Sequence, residues 1–282
     1  MNSAGAFYLA RPAWYPAVPM LPLPPPFGVP VHAVWADNLD AQLGAVQYFA
    51  ARARCVAVTV HYPGVVHGAS QDQTMLTAEQ RYAIVKANVD ALKPLQVGLS
   101  ICTHDGRLAA WEFNLSGFDP AVDPYAAHSV SYLAFRGLDV DAHRLNGIPM
   151  TRLTTALRFC GLVYRPGISW TTYAGAYHVA YLMKVISGGN KLPGDMARFL
   201  GAVRRCLGEV YDVARMAGDC QDMPVGLERV ASRLRLAPPL FSSQLAGAGS
   251  VLALQAFMIL RCHEFQGDLN RHRGVLQGLQ AI

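Results

Sequence analysis

Residues 55–64 read CVAVTVHYPG, and this stretch decides the fold. β-Branched residues are frequent through Cys55–Tyr62, and a Pro-Gly pair follows, which is typical of a short strand that ends in a turn. An amphipathic run from 38 to 53, opened by Asn38, comes before it and predicts a helix. A helix that leads into a strand of this kind favours a sheet with helices packed on its faces.

The segments that follow predict further strands of the same sheet. Residues 95–103 and 109–115 read as two strands joined by the turn His104-Asp105-Gly106, because Asp-Gly is a strong hairpin signal. Before them, residues 77–80 (TAEQ) form a capping box that predicts a helix running to about Lys93. The pattern therefore predicts an antiparallel pair beside the first strand.

The second half of the chain is mostly helical in pattern. Helices are predicted at 124–136, 149–161, 175–187, 194–206, 225–235 and 250–266, with brief extended segments at 168–173 and 209–211. Pro193 is expected at the start of the fourth of these helices. Together these elements predict one α/β domain on a mixed sheet of five or six strands, with Cys55–Tyr62 as a central strand.

The composition excludes several classes of protein. Of the 282 residues, 52% are hydrophobic and 15% are charged, which excludes a chain disordered throughout. No run reaches the roughly 18 uncharged apolar residues of a membrane helix, and the N-terminal MNSAGAFYLARPAW has no leader pattern. A membrane partner is therefore not expected. The net charge of +5 permits a nucleic-acid partner without requiring one.

The six cysteines are scattered, with no C-x-x-C pair, which favours buried reduced thiols over disulfides or a zinc ribbon. This usage predicts a nuclear or cytosolic compartment. Prolines concentrate in PAVPMLPLPPPFGVP, residues 16–30, so residues 1–33 are predicted to be a flexible polyproline-type arm. The arm is either a plain tail or a segment that docks on a partner's aromatic groove. The folded domain is predicted to span 34–282.

A series of phrases, in order along the chain, resembles one known family. They are VHAVWADNLDAQL, CVAVTVHYPGVVHG, YAIVKANVDALKPLQVGLSICTHDG and WEFNL, and later SWTTYAGAYHVAYLMKVISGG and AGAGSVLALQAFMIL. Over residues 34–279 the chain resembles the CAF/POP deadenylase subunit of the CCR–NOT complex, in a form similar to plant members. The resemblance implies an RNase-H-like fold and DEDD-type 3′-to-5′ exoribonuclease chemistry with two divalent ions, Mg²⁺ or Mn²⁺.

The same resemblance locates departures at every catalytic position. Where the family has Asp-x-Glu-Phe-Pro-Gly, this chain has TVHYPG, so Thr59 and His61 replace the two carboxylates. The family's next Asp is His178, and its general-base His and last Asp are Gln244 and Gly249. Divalent ions of this kind require carboxylate oxygens. The resemblance thus implies that no catalytic residue is intact and that no metal ion or other cofactor is bound.

The departures also predict a spatial arrangement. Residues i and i+2 of a strand share a face, so Thr59 and His61 point into one pocket. We expect His178 near the start of a helix that packs across the strand, within about 10 Å of His61. Residues 244–250 should lead into the C-terminal helix, with first-turn N–H groups that face the pocket and weakly hold a phosphate. The alternative is that His61 and His178 bind zinc, although a third ligand is lacking.

Two other acidic residues, Asp90 and Asp212, are interpreted as structural rather than catalytic. The resulting hypothesis is a catalytically inactive homologue that acts as a binding or adaptor module in mRNA turnover. The resemblance implies the scaffold and leucine-rich-repeat nuclease subunits of the CCR–NOT complex as partners, in nucleus and cytoplasm. Two alternatives stay open: a poly(A) exoribonuclease with residual or altered activity, and an RNA-binding protein that uses the old groove.

Overall fold

The strand predicted at 55–62 lies in the interior of a six-stranded sheet. The computed structural model describes residues 28–240 and 245–281. Strand β2 (Ala53–His61) pairs antiparallel with β3 (Gln96–Thr103) and parallel with β5 (Ser169–Thr172). β3 continues through the predicted turn into β4 (Leu108–Asn114), its antiparallel neighbour. This confirms the central strand and the hairpin.

Parallel strands complete the sheet at both edges. β1 (Val31–Val34) pairs with β4, and β6 (Glu209–Asp212) pairs with β5. The spatial order is β1-β4-β3-β2-β5-β6, a mixed sheet. Because side chains alternate along a strand, Val56, Val58 and Val60 enter one core layer, while Cys55 and Ala57 enter the other.

Helices cover both faces of this sheet. They are α1 (Leu39–Ala50), α2 (Ala78–Ala91), α3 (Ala127–Phe135), α4 (Val140–Asn146), α5 (Met150–Phe159), α6 (Ala176–Ile186), α7 (Met196–Leu207), α8 (Val213–Gly218), α9 (Leu227–Arg233) and α10 (Ala246–Ile259). The layer under the valines of β2 contains α1, α2 and α6, and the layer under Cys55 and Ala57 contains α8, α9 and α10. The predicted capping box at the start of α2 is present, with Thr77 and Gln80 bonding reciprocally.

Three sequence predictions need correction. Residues 31–33, assigned to the proline-rich arm, belong to β1, and Val29 is buried, so the folded part begins before residue 34. Pro193 does not open α7, because Asp195 is the N-cap and accepts a hydrogen bond from the Arg198 N–H. Helices α4 and α8 were not predicted. Residues 1–27, the bulk of the arm, lie outside the described residues.

The prediction that no segment is long and apolar enough to cross a membrane is wrong for Ala246–Glu264. This segment comprises α10 and a π-helical turn (Leu260–Glu264), and by length and composition this helix could cross a membrane. It packs on β2 and β3 instead, and 67% of its most apolar window is buried inside the protein. A core helix that is apolar all round meets the same criterion.

Candidate functional site

Four of the five sequence-predicted residues converge on one cleft. Thr59 and His61 lie at the end of β2 and His178 in the first turn of α6. Gly249 lies in the first turn of α10. All four line a cleft of about 920 Å³. The fifth residue, Gln244, lies outside the described residues.

Close backbone approach joins α10 to β2 here. A Cβ placed on Gly249 would lie 3.1 Å from Thr59 Cγ2 and 3.3 Å from its Oγ1. Any longer side chain at position 249 would therefore contact position 59 directly. Glycine avoids this crowding, and both residues line the cleft where the end of β2 meets the start of α10.

His178 attaches α6 to the end of β2. β5 pairs with β2 only as far as Ala57, so the sheet does not extend on that side to Val60. Nδ1 of His178 lies 3.0 Å from the Val60 nitrogen and 3.1 Å from its carbonyl oxygen. In a neutral imidazole Nδ1 makes one of these two hydrogen bonds, according to the tautomer, so contact with the Val60 backbone sets the position of the ring in the cleft.

Both histidines of the cleft are neutral at physiological pH. Burial above all, together with the neighbouring His178 and the Arg136 guanidinium, lowers the pKa of His61 to about 3. Burial lowers the pKa of His178 to about 4, against the opposing effect of its hydrogen bond to Val60. Nδ1 of His61 is buried without a hydrogen-bond partner among the described residues. The two rings therefore bring no charge to the cleft.

A second cleft of about 790 Å³ adjoins the first, and the two share His61, Tyr132, Leu133 and His178. Its lining is largely apolar and includes Tyr62 and Tyr177, whose rings are stacked with centroids 5.0 Å apart. The two clefts form one groove, with His61 and His178 where they meet.

The rim carries a charged pair that the sequence did not single out. Arg136, at the end of α3, donates to Glu228 of α9 (Nη2–Oε1, 2.6 Å) and to the Tyr132 hydroxyl (2.9 Å). Arg229 lines the same cleft. Arg136 and Glu228 are 92 residues apart, and neither belongs to a recognisable motif, so only the fold brings them together.

At the start of α10, the Gly247 N–H is not available to the cleft as predicted. The Gly247 N–H donates to Oε2 of Glu112 (2.8 Å), a buried carboxylate on β4. A carboxylate at a helix N-terminus is stabilised by the helix dipole and satisfies one of its unpaired donors. The anion site expected there is thus taken by a side chain of the protein itself.

The residues of the cleft do not fit a two-metal centre. Of the described residues that line the two clefts, Glu228 supplies the only carboxylate, and it is paired with Arg136. Nor does the described part of the chain contain a group of three His, Cys, Asp or Glu side chains able to hold a metal ion. His61 and His178 are close, but the zinc alternative lacks a third ligand of this kind.

The two acidic residues interpreted as structural have that role. Asp212, at the start of α8, accepts four backbone hydrogen bonds, from Ala174, Gly175, Ala214 and Gln277. Asp90 pairs with Lys86 and accepts from the Leu192 N–H. Neither carboxylate lines the clefts.

A mixed sheet with helices on both faces and a cleft at the end of its central strand defines the RNase-H-like class of fold. A model described as CAF1 family ribonuclease matches residues 34–158. Two Arabidopsis thaliana proteins, probable CCR4-associated factor 1 homologs 7 and 10, are 28% and 29% identical over 263 and 257 residues. These alignments cover 89% and 88% of this chain and 94% and 92% of theirs. The chain is thus similar to CAF1 family proteins over most of its length.

Solved structures agree in fold. The chain of S. pombe Pop2p in its Mg²⁺- and Mn²⁺-bound form is 26% identical, with a TM-score of 0.80 over 89% of this chain and 100% of that one. In the yeast NOT1 MIF4G domain co-crystallised with CAF1, the matching chain is 24% identical, with a TM-score of 0.74 over 91% and 100%. The predicted RNase-H-like fold is confirmed.

Proposed function

We propose that this chain is a CAF1-family protein without metal-dependent deadenylase activity, which serves as a binding module in a CCR–NOT-type assembly. The observation that carries the proposal is the identity of the four residues at the centre of the cleft. Thr59, His61, His178 and Gly249 present one hydroxyl, two neutral imidazoles and no carboxylate.

The chemistry of the family explains why this set is inactive. Two-metal hydrolysis uses ions about 3.5–4 Å apart, one to activate water and one to stabilise the leaving oxygen. Without carboxylates neither ion is held, and each loss of about 1.4 kcal/mol in transition-state stabilisation slows the reaction tenfold. Glu228 cannot replace four carboxylates, and Asp212 is fully used by backbone donors.

The proposed partner is a NOT1-type scaffold. The yeast CAF1 relative is co-crystallised with the MIF4G domain of NOT1, and this chain has kept the RNase-H-like fold although its cleft has changed. A protein that keeps the fold and loses the catalytic groups can occupy a place in an assembly without degrading RNA. A leucine-rich-repeat nuclease as second partner, a role in mRNA turnover, and a location in nucleus and cytoplasm belong to the same proposal.

The test combines an activity assay with a binding assay on the full chain. Purified protein is incubated with end-labelled oligo(A) in Mg²⁺ and in Mn²⁺, beside an active CAF1 protein, and is also used to capture a recombinant NOT1 MIF4G domain. We expect no shortening and stable capture. Thr59→Asp with His61→Glu should not restore activity, because His178 and Gly249 still leave both ions under-liganded. Shortening at the rate of the active protein, or failure to capture the scaffold domain, would overturn the corresponding half of the proposal.

A further inference from the structure

The structure assigns this cleft to an anion: we propose that it binds a phosphate group directly on the Arg136 guanidinium, with no divalent metal. The inference rests on the proposed function only in that the cleft no longer holds metal ions. It goes beyond it by naming a ligand class and the residue that carries the binding.

The charges on the cleft wall have the sign that an anion requires. Arg136 and Arg229 contribute two positive charges and Glu228 one negative charge. Because the two histidines are neutral, the charged groups of the described lining sum to +1. A carboxylate-lined site attracts a divalent cation, whereas this site repels one and attracts an anion.

Arg136 is placed and held for this role. Its side chain is only 18% exposed, and its charge is felt by His61 at the centre of the cleft. The hydrogen bond from its Nη1 to the Tyr132 hydroxyl fixes the guanidinium on the wall. A guanidinium binds planar pairs of oxygens, on phosphate as on carboxylate, and its charge-assisted hydrogen bonds are strengthened where water is partly excluded.

Glu228 acts as the competitor that a ligand must displace. Its side chain is 65% exposed, so it can turn into solvent at little cost once a phosphate oxygen takes over as acceptor for Arg136. The exchange leaves the buried guanidinium paired throughout, which avoids the cost of an uncompensated charge. The same pair therefore stabilises the empty cleft and defines where the phosphate binds.

The experiment measures phosphate binding by calorimetry at pH 7, with full-length protein in EDTA and again in Mg²⁺. The probes are inorganic phosphate, 5′-AMP and oligo(A), which separate a free phosphate, a monoester and a diester. We expect binding of at least one probe in EDTA, unchanged by Mg²⁺. Arg136→Gln should weaken it about tenfold or more, and Glu228→Gln should strengthen it several-fold because the competing carboxylate is removed.

The control is a matched ion pair on another surface. Arg152 and Asp40 lie 3.1 Å apart between α5 and α1, away from both clefts, so Arg152→Gln and Asp40→Asn should leave binding unchanged. The gain in Glu228→Gln cannot arise from misfolding. Absence of binding in EDTA, a requirement for Mg²⁺, or equal affinity in Arg136→Gln and the parent would overturn the inference. Oligo(A) shortening in Mg²⁺ would instead contradict the proposed function, so the two failures are distinct.

Discussion

Two regions of this molecule differ in whether their buried polar side chains carry a charge. At Asp212 a fully buried carboxylate accepts four backbone N–H groups, and at Lys184 a buried ammonium donates to the carbonyls of Val89 and Leu92 at the end of α2. In the cleft, by contrast, the strand end carries Thr59 and His61, neither of them charged. The first region keeps its charges, and the second has none at Thr59, His61, His178 or Gly249.

The difference lies in what satisfies the charge. Backbone donors around Asp212 are present in every folded molecule, so they always offset part of the cost of burying its charge, although burial still raises the pKa of Asp212 to about 6. A cluster of carboxylates in the cleft is compensated only while metal ions are bound, and otherwise like charges repel and burial opposes ionisation. Neutral side chains in the cleft avoid that cost, whereas removing Asp212 adds one. Three predictions test this contrast.

The largest effect is expected for Asp212→Ala. It leaves four backbone N–H groups without an acceptor, and an unsatisfied buried donor costs about 1–3 kcal/mol, so we expect a loss of about 4 kcal/mol or more in the free energy of unfolding. Urea denaturation followed by circular dichroism measures it. The control is Asp195→Ala at the exposed N-cap of α7, where a lost cap costs about 1 kcal/mol. Equal losses in the two variants would show that Asp212 is no more than a helix cap.

The sequence predicted the parts of this contrast that depend on short-range patterns. β-Branched residues marked β2, and the two-residue period placed Thr59 and His61 on one face. Asp212 was also interpreted as structural, although the helix α8 that it caps was not predicted. The four-residue strand β1 has no such signal, because only its last residue, Val34, is buried. Pairing with β4 holds this strand in the sheet.

Long-range pairs could not be predicted in this way. Glu112 meets the Gly247 N–H across 135 residues, and this contact takes the helix terminus that the sequence had left for an anion. The charge that the cleft does contain, on Arg136, belongs to a helix end with no motif. The electrostatic potential of a site depends on which distant side chains the fold brings together. Short-range sequence patterns do not contain that information.

The second prediction concerns the pH dependence of stability. In the folded protein the pKa values of His61 and His178 lie at about 3 and about 4, below the ordinary 6.5. The unfolded chain therefore binds protons that the folded chain does not. Stability is complete above pH 6.5 and falls as the pH drops toward the folded pKa values.

Between pH 7 and pH 5 we expect a loss of roughly 2 kcal/mol from the pair, less than full burial would give because both residues keep some solvent exposure. Denaturation curves across this range measure it. The double variant His61→Gln with His178→Asn should flatten the profile, while His104→Gln in the exposed β3–β4 turn should leave it unchanged. A profile of the double variant as steep as the parent's would mean that the cleft histidines do not resist protonation.

The smallest effect is expected for Gly249→Ala. The new Cβ would lie 3.1 Å from Thr59 Cγ2, so the threonine side chain must shift by a few tenths of an ångström. Alanine favours the helix by about 1 kcal/mol over glycine, which offsets the crowding, and we expect a change in unfolding free energy within about 1 kcal/mol. Gly98→Ala is the matched control, since Gly98 pairs with Thr59 on the neighbouring strand. There the Cβ would lie 1.9 Å from the Ala246 carbonyl oxygen, and backbone must move, at a cost of about 3 kcal/mol. A large loss in Gly249→Ala, comparable to that in Gly98→Ala, would mean that the wall of the cleft is as tightly packed as the core beside it and has no room for a ligand between β2 and α10.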